Sequence, residues 1–232
     1  MTAFKALTLS RTSTPQQVVV ELKDMIMRGD LAPGERINES TIAAAWGLSR
    51  NTVREALRLL ESGGLIRRHP RRGMAVWDPS DDEILDLYSA RYYLETLAAS
   101  TVTPATDLSE IRAALEEFKS VLETHDPHQI MVKDLKIHAA VVGLLRNDFL
   151  NNTYAHLSTQ LQYFLMVLSH EHHEYEDVAD IEREHSAIVD ALESRDPRRA
   201  AEVVGDITIR SRDHVRRAIQ RRRETTVSVD GR

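Results

Sequence analysis

Asp134 and His138 stand four residues apart, which on a helix puts them on one face. A carboxylate and an imidazole so placed can share a divalent cation, and oxygen with nitrogen ligands suits zinc, manganese or nickel. His185 lies in a segment where Ile181, Ile188 and Leu192 recur at helical spacing, which aims it toward a core as well. From spacing alone, hydrogen-bonded core histidines are the commoner explanation of these residues. Arg91 and Glu95 are also four apart, and from spacing alone they read as a salt bridge along one helix. The run His170 to Glu174 is rich in imidazole and carboxylate, but its place among acids at a helix end reads as a solvated loop.

A different chemistry sits near the N-terminus, in the run from Leu48 to Arg58. Ser49 is a good helix N-cap, because its hydroxyl can accept a first-turn backbone N–H. Val53, Ala56, Leu57 and Leu60 then fall on one face and Arg50, Asn51, Arg54 and Arg58 on the other. Arginine reads guanine bidentately, asparagine reads adenine, and a helix N-terminus favours phosphate, so such a face suits the DNA major groove. Of these, Arg50, Asn51 and Arg54 are placed to read bases, whereas Arg58, a turn or more along, is placed for phosphates. A solvated basic surface is the alternative for an isolated helix.

The elements around these residues favour DNA. The net charge of −6 conceals two opposite halves: residues 1–78 carry 12 Lys and Arg against 8 Asp and Glu, and residues 79–209 carry 10 against 25. The tail from 210 is basic again, 8 against 3, with its arginines at 216–217 and 221–223 reading as a solvated helix face. A basic module joined to an acidic body is the pattern of a nucleic-acid domain on a non-binding partner. The 232 residues contain no cysteine, which excludes disulfides, thiolate metal sites and cysteine nucleophiles. No apolar run approaches a membrane span and no apolar signal core opens the chain, so a cytoplasmic protein with no membrane partner is expected.

Residues 1–13 lack periodicity. Thr14-Pro15 starts a helix carrying Val18, Leu22, Met25 and Ile26, ended by Gly29. Pro33-Gly34 predicts a type II turn. Asn38 or Ser40 caps a short helix with Ile42, Ala43 and Trp46, stopped by Gly47, and the basic helix follows up to Gly63-Gly64. Residues 65–69 and 74–77 read as two short strands around the turn Pro70-Arg71-Arg72-Gly73. Three helices and an arginine-tipped hairpin predict a winged helix-turn-helix over residues 1–78, with the wing at Arg71, Arg72 and Gly73 reaching the backbone or minor groove. Six helices are predicted beyond it: Asp81 to Thr103, Ser109 to Thr124, Pro127 to Arg146, Phe149 to His170, Asp177 to Ser194 and Pro197 to Arg223. The fold class is therefore mainly α, a winged helix-turn-helix followed by an all-α bundle over 79–232 that is large enough for its own core.

These residues carry a resemblance. Gly29-x-Leu31-x-Pro33-Gly34-x-x-Ile37, Leu48-Ser49-Arg50-x-x-Val53-Arg54-Glu55-Ala56-Leu57, Gly64-Leu65-Ile66 and Arg72-Gly73-x-x-Val76 resemble the GntR family of bacterial transcription regulators. The likeness implies operator contacts from Arg50, Asn51, Thr52 and Arg54, with the wing around Arg71 to Gly73. Many members have an arginine after the Glu39 position, and this chain has Ser40 there. Arg91-x-x-Leu94-Glu95, Asp134-x-x-x-His138, Asn147, and Glu184-His185-x-x-Ile188-x-x-Ala191 with Asp196 resemble the FCD ligand-binding domain of the FadR subclass. That likeness implies a homodimer, a small carboxylate effector held by Arg91 and Asn147, and a divalent metal held by Asp134, His138 and His185. A guanidinium facing the pocket would clamp the carboxylate in two hydrogen bonds. The fourth metal-ligand position of the pattern falls on Ile207. Asp206 adjoins it, and His214 lies about two turns, or about 10 Å, further along a straight helix.

The first expectation is thus a ligand-responsive regulator on double-stranded operator DNA, and not an enzyme, since no nucleophile motif or phosphate loop accompanies the metal-type residues. A metal-dependent enzyme of small acids or esters with a DNA-binding appendage, and an effector-free DNA-binding protein, are the alternatives.

Overall fold

A computed structural model describes residues 14–69, 73–168 and 178–229, with side chains up to 166 in the second stretch and up to 217 in the third. The chain divides into two compact units: one takes in the described residues of Met1–Asp78 and Thr159–His170, the other those of Pro79–Ser158 and Glu171–Arg232. Residues 159–168, read from sequence as part of the helical domain, pack with the N-terminal unit.

In that unit, α1 (Pro15–Met27) begins in a capping box, with Thr14 and Gln17 each satisfying the other's backbone N–H. It buries Val18, Leu22, Met25, Ile26 and Met27 and leaves through Gly29, whose φ of 74° is a left-handed exit. The turn at Pro33-Gly34 closes with Glu35 N–H donating to the Ala32 carbonyl at 2.9 Å. Next, β1 (Arg36–Ile37) is followed by α2 (Glu39–Trp46), capped by Asn38, and by α3 (Arg50–Ser62), capped by Ser49. The hairpin strands β2 (Ile66–His69) and β3 (Gly73–Val76) complete an antiparallel sheet of order β1-β3-β2, with Arg36 opposite Ala75 and Ile66 opposite Val76. The sequence reading lacks β1: two residues are too short for any alternation, and only pairing with β3 makes them a strand.

In the second unit, α4 (Asp81–Ala99), α5 (Ser109–Leu122), α6 (Pro127–Gly143), α7 (Asp148–Tyr163), α8 (Val178–Glu193) and α9 (Pro197–Val229) supply the helices. The helix α7 runs on through a π-helical turn at Phe164–Leu168. Its first eleven residues belong to this unit and its last five, from Thr159, to the N-terminal one. The core joins Ile111, Phe118, Ile137, Val141, Ile188, Leu192 and Val204. The first of these helices stops short of the predicted Thr103, and at its end Ser100 and Thr101 turn their hydroxyls back onto the carbonyls of Leu97 and Ala98. No helix among the described residues is long and apolar enough to cross a membrane.

Candidate metal centre and nucleic-acid interface

Five helices bring polar groups to one buried point in the second unit. Arg91 and Glu95 come from α4, Asp134 and His138 from α6, Tyr154 from α7, His185 from α8 and Thr208 from α9, all buried. One oxygen of Glu95 accepts from Arg91 Nε at 2.8 Å and from Tyr154 Oη at 2.5 Å. The other pairs with His138 Nδ1 at 2.8 Å and accepts from Thr208 Oγ1 at 3.3 Å. His185 Nδ1 lies 2.8 Å from the Ile181 carbonyl, and the Phe118 ring packs on the imidazole with centroids 4.6 Å apart.

These contacts fix both imidazoles. His138 Nδ1 faces the Glu95 carboxylate and His185 Nδ1 the Ile181 carbonyl, so Nδ1 carries a hydrogen in both rings, and either ring presents a lone pair at Nε2 when it is neutral. The two Nε2 atoms are 3.3 Å apart, and His185 Nε2 lies 2.7 Å from Asp134 Oδ1. A carboxylate oxygen and two imidazole nitrogens thus converge within 4.8 Å of one another. Three acceptors at one point repel unless a cation lies between them, either a proton or a divalent metal. A histidine whose remote nitrogen is held by a carboxylate or a carbonyl is the usual metal-ligand arrangement, since the outer partner orients the ring and raises its basicity.

The ionisation pattern follows from the same contacts. Burial pushes the Asp134 carboxyl up, but the His185 charge and hydrogen bond overcome this and hold it well below the usual range. Burial likewise opposes the charge of Glu95, yet Arg91 and His138 bring it down to about 2. His185 is lowered by burial and raised further by Asp134, a net rise. His138 is lowered, by burial and then by Arg91, against the pull of Glu95. The 2.7 Å contact with Asp134 favours a proton on His185 over one on His138.

On the N-terminal unit, α3 turns Val53, Ala56, Leu57 and Leu60 inward and leaves Arg50, Asn51, Arg54 and Arg58 exposed, with Thr52 half-buried. Arg54 meets Glu39 at 3.0 Å and Arg50 Nη2 donates to Ser40 Oγ at 2.5 Å. Gly73 opens β3 with a φ of 75°, a left-handed conformation that glycine adopts without strain. Arg71 and Arg72 lie outside the described residues.

Two families match the two parts of the chain. Residues 14–76 match the bacterial regulatory proteins of the gntR family, and residues 86–217 match the FCD domain. The chain is a GntR-family regulator of the FCD subclass. An HTH-type transcriptional regulator, YdhC, of Bacillus subtilis is 31% identical, with 79% of this chain and 83% of the relative covered. The gluconate operon transcriptional repressor of Bacillus subtilis is 28% identical, with 83% and 81% covered. A GntR transcriptional regulator from Rhodococcus sp. RHA1 superposes with a TM-score of 0.75 at 25% identity, over 87% of this chain and 96% of that one. Escherichia coli McbR gives 0.69 at 23% identity, over 89% and 98%. The chain is a DNA-binding transcription regulator.

Within this regulator, the sequence-predicted residues separate. Asp134, His138 and His185 come together, and Arg91 lies beside them with its Nε on Glu95. Asn147 does not join them. It is exposed, and its Oδ1 accepts the Leu150 N–H at 3.1 Å, so it caps the start of α7. The candidate fourth-ligand positions separate as well. Ile207 is buried core, Asp206 is exposed on α9, and His214 is not in the metal-capable group. The neighbouring position reaches the site instead, through the Thr208 hydroxyl on Glu95. Sequence reasoning missed Tyr154 and Thr208, and took Glu95 only as a partner for Arg91. Polar residues at core-facing positions, Tyr154 between Asn151 and Leu157 and Thr208 after Ile207, were the available signal. The run His170 to Glu174 lies outside the described residues.

Proposed function

We propose that this regulator binds operator DNA as a homodimer in the cytoplasm and that its helical domain senses a small organic acid through a divalent metal held by Asp134, His138 and His185. The observation that carries the reading is the convergence of three acceptor atoms whose two imidazoles are already fixed, by Glu95 and by the Ile181 carbonyl, in the tautomer a metal requires. Three protein ligands suit a site that keeps positions open for water or effector. Zinc, manganese or nickel bound there would supply a Lewis-acidic centre for a carboxylate oxygen. Arg91 adds the only buried guanidinium among the described residues, a charge complementary to an acid.

In the N-terminal unit, Arg50, Asn51, Thr52 and Arg54 are the residues for the major groove, with Arg58 and the sequence-assigned wing residues Arg71, Arg72 and Gly73 for the backbone or minor groove. Two-fold symmetric operators with half-sites about one helical turn apart follow from a dimer of such modules.

The test is a thermal-shift screen of small carboxylates, with and without chelator, on protein whose metal content has been measured. An acid that binds the native state at about 100 times its Kd should stabilise it by about 2.7 kcal/mol. Chelation or His138→Ala should abolish that shift while apo operator binding persists. An acid shift that survives complete metal removal would assign effector binding to Arg91 and its neighbours without the metal.

A further inference from the structure

The two arginines best placed to read bases are not independent side chains. Arg54 and Glu39 form a side-on pair, with Nε 3.1 Å and Nη2 3.0 Å from the same carboxylate oxygen, Oε2. Arg50 donates through Nη2 to Ser40 Oγ. Both acceptors belong to the first turn of α2, which Asn38 caps, so they are fixed to a helix end and not to a loop. Their partners lie in the first turns of α3, where a reading helix meets base edges.

A guanidinium has five N–H donors. The side-on pair with Glu39 engages Nε and one N–H of Nη2, which leaves the distal edge, with a donor on each Nη. That distal edge is the one that meets guanine O6 and N7 bidentately. The carboxylate thus fixes the plane of the group that must be coplanar with the base pair, and removes rotamer freedom that would otherwise be lost on binding. Electrostatics makes Glu39 informative. A carboxylate on the DNA-facing side repels phosphates and weakens binding to every sequence. Its presence there favours a role in orientation over one in affinity.

We propose that Glu39 and Ser40 are positioning residues for operator recognition: they aim Arg54 and Arg50 at base edges and so set sequence discrimination without themselves contacting DNA. The proposal rests on the reading of α3 as the recognition helix. Ser40, through its hydroxyl, then supports the Arg50 contact.

The experiment uses the full-length protein and a duplex that the wild type enriches from a random-sequence library, with a shuffled duplex as the comparison. Glu39→Ala should reduce the ratio of affinities for the two duplexes about tenfold while binding to the shuffled duplex stays the same or tightens. Glu39→Gln, which keeps a carbonyl acceptor, should lose less, and Ser40→Ala should lower the ratio in the same sense. The Glu39→Ala, Arg54→Ala double variant should discriminate no worse than Arg54→Ala alone. A ratio unchanged or raised by both Glu39 variants, with Arg54→Ala still lowering it, overturns the positioning role and leaves the recognition helix standing. An Arg54→Ala protein with an unchanged ratio overturns the recognition-helix reading and the inference with it.

Discussion

At the scale of single residues, Glu95 organises the buried site more than any metal-type ligand does. Its two oxygens take Arg91, Tyr154, His138 and Thr208, so one carboxylate ties four side chains on four different helices: α4 itself, α7, α6 and α9. A carboxylate with that many donors is ionised in the fold down to about pH 2, against 4.5 when unfolded. Because the folded value is the lower one, the stabilisation is fully present above pH 4.5 and drains away as the pH falls from there to about 2. Glu95→Gln removes the charge and leaves Arg91 buried without its counter-ion, which should cost about 3–5 kcal/mol near neutrality. Thermal melts of the metal-free protein should show the wild-type advantage shrinking as the pH is lowered through that window. An advantage that stays constant from pH 6 to pH 2 would remove Glu95 from this role. Three of the site's residues, Asp134, His138 and His185, were legible because an i, i+4 pair and an amphipathic stripe are local signals. The contacts of Glu95 to Tyr154 and Thr208 join positions 59 and 113 residues apart, and no local pattern encodes them.

At the scale of elements, caps and glycines were the most readable features and tertiary pairing the least. Thr14, Asn38, Ser49 and Ser80 all cap the helices that follow them, because a short hydroxyl or amide at that point satisfies orphan N–H groups whatever the rest of the fold does. In the bundle, the residues after three helices, His125, Arg146 and Arg195, are left-handed without being glycine, so those exits carry no glycine signal. Two glycines of the N-terminal unit allow the backbone term to be separated from packing. Gly47, at the turn of the helix-turn-helix, has φ of 66° and open space where a Cβ would sit. Gly47→Ala should therefore cost about 1 kcal/mol from the backbone alone. Gly64 has φ of 77°, and its added Cβ would fall 2.4 Å from Gln160 Nε2, which donates to the Gly64 carbonyl. Gly64→Ala should cost more than Gly47→Ala, and Gln160→Ala should cancel the excess. Urea unfolding followed by tryptophan fluorescence checks this, since Trp46 and Trp77 are the only tryptophans and both are buried in this unit. Equal costs for the two glycine variants would mean that Gln160 moves aside freely.

At the scale of the whole molecule, the charge division separates the two tasks. A basic module on an acidic body concentrates attraction for DNA in one unit, and the other, with its 25 acidic residues over 79–209, is repelled from the phosphate backbone. The buried Asp/His/His group lies in the acidic unit and the exposed arginines of α3 in the basic one. An acid at the first can regulate DNA binding at the second only if it has different affinities for the DNA-bound and free forms, and that difference acts in both directions. If a carboxylate found in the thermal-shift screen changes operator affinity by a given factor, saturating operator DNA must change the affinity for that carboxylate by the same factor. A tenfold effect corresponds to about 1.4 kcal/mol of coupling, well inside the range of ligand-controlled proteins. Calorimetric titration of the metal-loaded protein with the acid, alone and with excess operator duplex, measures one side, and operator titration at zero and saturating acid measures the other. A shared factor different from one would make the acid an effector, and its direction would say whether it releases or recruits the regulator. A protein that binds the acid with the same affinity in the presence and absence of operator has no coupling to transmit, and the acid would then be a stabilising ligand and not an effector.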